Sequence, residues 1–204
     1  MINFPESDDN LCLQLLEASQ PHLESLSDEM KINYVQPDYF QKIVVPLSVY
    51  LLNLPERKKP YFIGLNGGQG SGKTTLSDFI QVVLSKVSNK SVTGFSIDDI
   101  YKSPGEREKQ SRKIHPLCKV RGVPGTHDVQ MGLKVLESLC NASEETLTPI
   151  PSFSKPLDRH KPTEDWKVFQ GRPDFIFFDG WCAGARPISE KEWKPPMNDL
   201  EKEE

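Results

Sequence analysis

No stretch of the 204-residue sequence has the unbroken apolar length that a membrane span needs. The N-terminus, "MINFPESDDN", is acidic where a secretory leader would be basic, so neither export nor membrane anchoring is expected from it. Cysteine is scarce. Cys12, Cys118, Cys140 and Cys182 stand far apart without a CxxC pair, which argues against a disulfide framework or a zinc site and for reduced thiols in a cytoplasmic protein. An excess of positive charge is lacking as well. The 25 Lys and Arg are outnumbered by 29 Asp and Glu, a net charge of −4, which excludes broad nucleic-acid or anionic-membrane binding as the main activity. There is no internal repeat, no low-complexity tract and no N-K-x-D string of the kind that reads guanine. What is there, 36% hydrophobic and 26% charged, suits a soluble globular domain with a core of its own.

Residues 1–59 read as a helical extension. Leu11, Leu15 and Leu16 recur at helical spacing, and Phe40, Ile43, Val44, Leu47, Leu51 and Leu54 do so more clearly. Pro37 suits the first turn of that second helix, and Pro46 is expected to kink it. "PERKKP" (55–60) reads as a turn or linker. From residue 60 to 204 the pattern changes to short apolar runs alternating with helical periods. "YFIGLN" (61–66) reads as a buried parallel strand, "SVTGFSI" (91–97) as a second and "DFIFF" (174–178) as a third. Leu76, Phe79, Ile80, Val83, Leu84 and Val87 share one helical face, and a further helix is expected from about Asp128 to Cys140. The expected fold is α/β, with a parallel sheet flanked by helices. The tail "NDLEKEE" is charged and expected to be solvated.

The first strand runs into Gly67–Gly68–Gln69–Gly70–Ser71–Gly72–Lys73–Thr74–Thr75, which meets G-x-x-x-x-G-K-[ST] at every fixed position. Glycines let the backbone curl so that successive N–H groups point at phosphate oxygens with no Cβ in the way. The helix that follows aims its positive end at the same anion. Lys73 can reach the β- and γ-phosphates as a point charge, and the Thr74 hydroxyl can ligate Mg²⁺. The dinucleotide fingerprint fits less well, because Thr75 stands where its third small residue should be. A nucleoside triphosphate with Mg²⁺ is the implied ligand.

Two further segments bear on what accepts the phosphate. "FSIDDIY" (95–101) ends the second strand with Asp98 and Asp99, at the carboxyl edge that faces the ligand crevice of a parallel sheet. Such a carboxylate can take the proton of an attacking hydroxyl; it can equally cap a helix. "FIFFDGW" (175–181) is an apolar strand ending in Asp179, which can hold Mg²⁺ directly or through water, or merely form an Asp-Gly turn. The segment between these strands also carries several cations able to bind an anionic acceptor.

Five segments in this order carry a resemblance: "GLNGGQGSGKTTL" (64–76), "FSIDDIY", "RGVPGTHD" (121–128), "IPSFSKPLDRHKPTEDW" (150–166) and "FFDGWCAGARP" (177–187). Together they look like ATP-dependent glycerate 3-kinase and its close kinase relatives, a group similar to the phosphoribulokinase, uridine kinase and pantothenate kinase superfamily. The resemblance implies a P-loop kinase that uses ATP and Mg²⁺ to phosphorylate a small hydroxy acid, glycerate. A pantothenate-like or nucleoside-like acceptor, or nucleotide binding without transfer, is the alternative. It implies Lys73 and Asp98 as catalytic residues and Thr74 and Asp179 as metal ligands. For the acceptor it implies Asp98, Arg121, His127, Lys155, Arg159 and Arg186. The sequence departs from the family at Ser154, where aspartate is usual, and at Asp179, where glutamate is usual. Members of the family also continue for several elements beyond the point where this sequence stops, so the resemblance implies a shortened gene product or a fragment.

Overall fold

The computed structural model describes residues 9–36 and 38–186, with residues 189, 195 and 202. Pro37 lies outside the described residues, as does the "NDLEKEE" tail except for residue 202. Three parallel strands form the central sheet: β1 (Tyr61–Asn66), β2 (Val92–Ser96) and β7 (Phe175–Gly180), in the order β1-β7-β2. The apolar run Phe175–Phe178 explains why β7 is central. Successive side chains of a strand point to opposite faces, and a strand covered on both faces needs apolar residues at every position. Phe175 and Phe177 enter one core cluster and Ile176 the other.

β1 departs from the sequence expectation of a fully buried strand. Tyr61, Ile63 and Leu65 pack on the core, whereas Phe62 on the opposite face is 50% exposed. Among the described residues no second layer covers that face, and β1 forms one edge of the sheet.

Helices fill both sides. On one, α3 (Lys73–Val82) and the π-helical turn Val83–Val87 bring Phe79, Ile80, Val83 and Leu84 against Phe175 and Phe177. The same cluster takes Leu23 from α1 (Asp9–Glu29), Val44, and Leu51 from α2 (Val45–Leu52). The N-terminal helices therefore share the core of the sheet. Where Pro46 is expected to kink a helix, the chain forms a π-helical turn over Phe40–Val44, in which the Val45 N–H donates to the Phe40 carbonyl. Pro46 then sits in the first turn of α2, directly after the wider turn that accommodates it. On the other face α5 (Val129–Asn141) packs Val135 and Leu139 against Phe95, Ile100, Ile150 and Ile176.

Further elements lie between β2 and β7 in the chain. A 3₁₀ turn (Ile97–Ile100) follows β2, and α4 (Pro104–Lys113) follows that. Two antiparallel pairs come next: β3 (Leu147–Ile150) with β6 (Lys167–Gln170), and β4 (Phe153–Ser154) with β5 (Arg159–His160). Among the described residues no helix is long and apolar enough to cross a membrane. Cys12, Cys118, Cys140 and Cys182 are all free.

The spacing of β2 and β7 depends on one glycine. A Cβ on Gly94 would stand 2.5 Å from the Phe177 carbonyl oxygen and 2.8 Å from the Phe177 Cβ on the neighbouring strand. Gly94→Ala is therefore expected to lower stability by about 1–3 kcal/mol, read as a lower urea midpoint.

Candidate functional site

Asn66 ends β1 and Lys73 begins α3, so the glycine-rich loop turns at the carboxyl edge of the sheet. Gly70 and Gly72 have φ of 74° and 82°, left-handed values that glycine adopts at little cost. Gly72 caps α3, and the Lys73 ammonium donates to the Gly68 carbonyl across the loop at 2.8 Å. Gln69, Gly70, Lys73 and Thr74 line a cavity of about 430 Å³. Gly67, Gly68, Ser71, Gly72 and Thr75 build the loop and first helical turn without lining it.

Across the cavity β7 ends at Asp179. The Thr74 hydroxyl donates to its Oδ2 at 3.2 Å, and Ser96 Oγ at the end of β2 donates to the same oxygen at 3.3 Å. Burial pushes the Asp179 carboxyl up, against the hydrogen bonds from Thr74 and Ser96 and the charge of Lys73. A carboxylate and a hydroxyl beside an anion-binding loop are hard oxygen donors. They suit Mg²⁺, which keeps water and takes phosphate oxygens rather than a full protein cage.

The paired aspartates divide their roles. Asp99 is structural: its Oδ2 accepts the Ser96 N–H at 2.9 Å and its Oδ1 the Phe153 N–H at 3.3 Å. With Ser96 it forms a reciprocal cap on the 3₁₀ turn. Asp98 lines the cavity, accepting from the Tyr101 hydroxyl at 2.7 Å and lying 2.6 Å from the Lys155 ammonium. Burial opposes its ionisation, but Lys155 and Tyr101 outweigh that and hold its carboxyl below the usual range.

The remaining candidates separate. Arg121 and Lys155 line the cavity; Arg159 and Arg186 are exposed and do not. His127 is buried behind the site, stacked on Tyr101 with centroids 4.5 Å apart. Its Nε2 has no hydrogen-bond partner among the described residues, and burial lowers its pKa. Tyr101 and Asp158 are site residues that the sequence alone did not single out. Asp158, at φ 49°, accepts from Arg121 at 2.8 Å and pairs with Arg107 of α4, whose side chain is only 3% exposed. Thus one short turn between β4 and β5 supplies Lys155 to Asp98 and Asp158 to Arg121.

Burial raises the Asp158 carboxyl, and the Arg121 and Arg107 guanidiniums more than reverse this, leaving it below the usual range. Its folded pKa is depressed, so its stabilisation is complete above the ordinary aspartate value of about 3.9 and is lost as pH falls through the lowered value. Asp158→Asn leaves Arg107 buried without a counter-charge. The partial exposure of Asp158 reduces the effect from that of a fully buried pair, so the expected cost at neutral pH is about 1.5–3 kcal/mol. Urea unfolding at stepped pH should show the gap to wild type closing as pH falls below about 4.

No family model matches the chain. The mug58 protein of Schizosaccharomyces pombe, described as an uncharacterized kinase, is 32% identical over 137 residues, 64% of this chain and 49% of that protein. The chloroplastic D-glycerate 3-kinase of Arabidopsis thaliana is 32% identical over 138 residues, 63% of this chain and 30% of that protein. The solved D-glycerate 3-kinase of Cryptococcus neoformans superposes with a TM-score of 0.61 at 23% identity, covering 74% of this chain and 56% of that one. The chain thus spans about half or less of the length of these two curated relatives. Over about two thirds of its length the chain is thus similar in sequence to these kinases, and its parallel sheet flanked by helices shares the fold of the solved D-glycerate 3-kinase.

Proposed function

We propose that the chain is an ATP-dependent small-molecule kinase that transfers the ATP γ-phosphate to a hydroxyl of D-glycerate, giving 3-phosphoglycerate and ADP. The observation that carries this reading is the placement of Asp98, a carboxylate held ionised, in the same cavity as Lys73 and the glycine-rich loop. ATP with Mg²⁺ supplies the phosphoryl group. The loop N–H groups and Lys73 would hold its phosphates, and Thr74 and Asp179 would hold the metal ion, which would neutralise charge on the phosphate oxygens. Asp98 accepts the proton of the attacking hydroxyl on its carboxylate oxygen as the oxygen–phosphorus bond forms. Arg121 and Lys155, both lining the cavity, are the cations for the glycerate carboxylate. Lys155 is 57% exposed and reaches Asp98 from the cavity side.

The test is to follow labelled γ-phosphate in parallel incubations with D-glycerate, pantothenate, uridine and water alone. The proposal expects label in phosphoglycerate. Label only in inorganic phosphate, or preferentially in another acceptor, would contradict it.

A further inference from the structure

A second cavity, of about 250 Å³, lies at the opposite end of the sheet. Its lining includes Tyr61 and Phe175, the first residues of β1 and β7, whereas the glycine-rich loop follows the last residue of β1. Six strand residues at about 3.3 Å each put the two cavities roughly 20 Å apart, so each can be filled without the other.

Three connections converge there: the linker before β1, the turn before β2 and the turn before β7. They bring Arg57, Lys58, Lys59, Lys90 and Arg172 onto one concave wall of a chain whose net charge is −4. Two acids, Glu56 and Asp174, share the lining, and one Asp174 carboxylate oxygen already accepts the Ser91 N–H. Among the described residues, Lys58, Lys59, Lys90 and Arg172 form no ion pair. Arg57 is held in place by donation to the Pro60 carbonyl and by the Tyr61 ring, whose centroid lies 3.6 Å from its guanidinium carbon. Five cations against two acids leave the wall positive, and a concave wall focuses that potential on what enters.

We propose that this cavity is a second anion site, separate from the glycine-rich loop, for a compact multivalent phosphate such as pyrophosphate or a phosphate monoester. Volume sets the class. Pockets for drug-sized ligands run from about 300 Å³ upward, so 250 Å³ accommodates a small phosphate rather than a whole nucleotide. Multivalency follows from the number of cations: a single negative charge leaves most of the wall uncompensated. The site is independent of the kinase reading, because it requires binding and no transfer.

Isothermal titration of the full chain with inorganic pyrophosphate tests it, with Lys73→Ala used to weaken the loop site. The Lys73→Ala protein is expected to retain one pyrophosphate site. Adding Lys59→Ser and Arg172→Ser should weaken that site roughly tenfold or more, while the charge-keeping pair Lys59→Arg and Arg172→Lys preserves it. Both positions are exposed, and equal urea midpoints for the variants check that the fold is kept. Raising salt should weaken the site steeply. Loss of all pyrophosphate binding in Lys73→Ala, or an affinity indifferent to the serine substitutions, overturns the proposal. So does binding to anionic vesicles that needs Lys59 and Arg172 without any pyrophosphate binding at the site.

Discussion

Lys73→Ala is expected to lower acceptor-dependent ADP release by about 10²–10³ in kcat, the loss typical of removing one donor aimed at developing transition-state charge. Lys73 is the cation of the glycine-rich loop, and its ammonium donates to the Gly68 carbonyl from a partly open position. No ion pair or buried network depends on it, so stability should change by no more than about 0.5 kcal/mol. A large rate loss with an unshifted urea midpoint separates a phosphate-binding lysine from a structural one. Lys73→Arg should restore little, because a planar fork does not replace a compact ammonium in a tight loop.

Asp98→Asn should lower kcat by about 10²–10⁴, the range over which a positioned general base contributes, with ATP affinity nearly unchanged. The amide keeps the shape and can still accept from the Tyr101 hydroxyl, but it cannot take the acceptor's proton. Asp99→Asn one residue later acts differently. Asp99 caps the 3₁₀ turn and ties Phe153 to it, so its loss should appear mainly in stability. Lys155 supplies a further check on the assignment. It is one of the groups that hold the Asp98 carboxyl low, so Lys155→Met should let that pKa rise. A base must be ionised, and a raised pKa means that it protonates at higher pH on acidification. The acid limb of kcat/KM should therefore move to higher pH in Lys155→Met, alongside a higher KM for the acceptor.

The central layer was legible because its signals are local and strong. Phe175–Phe178 is apolar at successive positions, as a strand covered on both faces must be, and the loop motif fixes the turn from β1 into α3. α4 went unpredicted although Ser103 and Glu106 spell a capping box. Its sequence, PGEREKQSRK, has no apolar stripe, and its one buried side chain is Arg107, so periodicity had nothing to detect. The β4–β5 pair was illegible for another reason: strands of two residues are too short to show alternation. Yet the turn between them brings Lys155 to Asp98 and Asp158 to Arg121 at the cavity. Asp98 and Asp99 are adjacent and chemically identical, and only the direction of the 3₁₀ turn assigns one to the cavity and the other to the cap. Arg159 and Arg186 were expected near the acceptor from their place in the resembling segments; both lie exposed outside the cavity lining.

Steady-state ADP release by the 204-residue chain in Mg·ATP, with D-glycerate varied, tests the kinase assignment. The rate is expected to rise and saturate with D-glycerate, and Asp98→Asn is expected nearly to abolish it. A rate indifferent to D-glycerate, or one that Asp98→Asn leaves intact, would contradict the assignment.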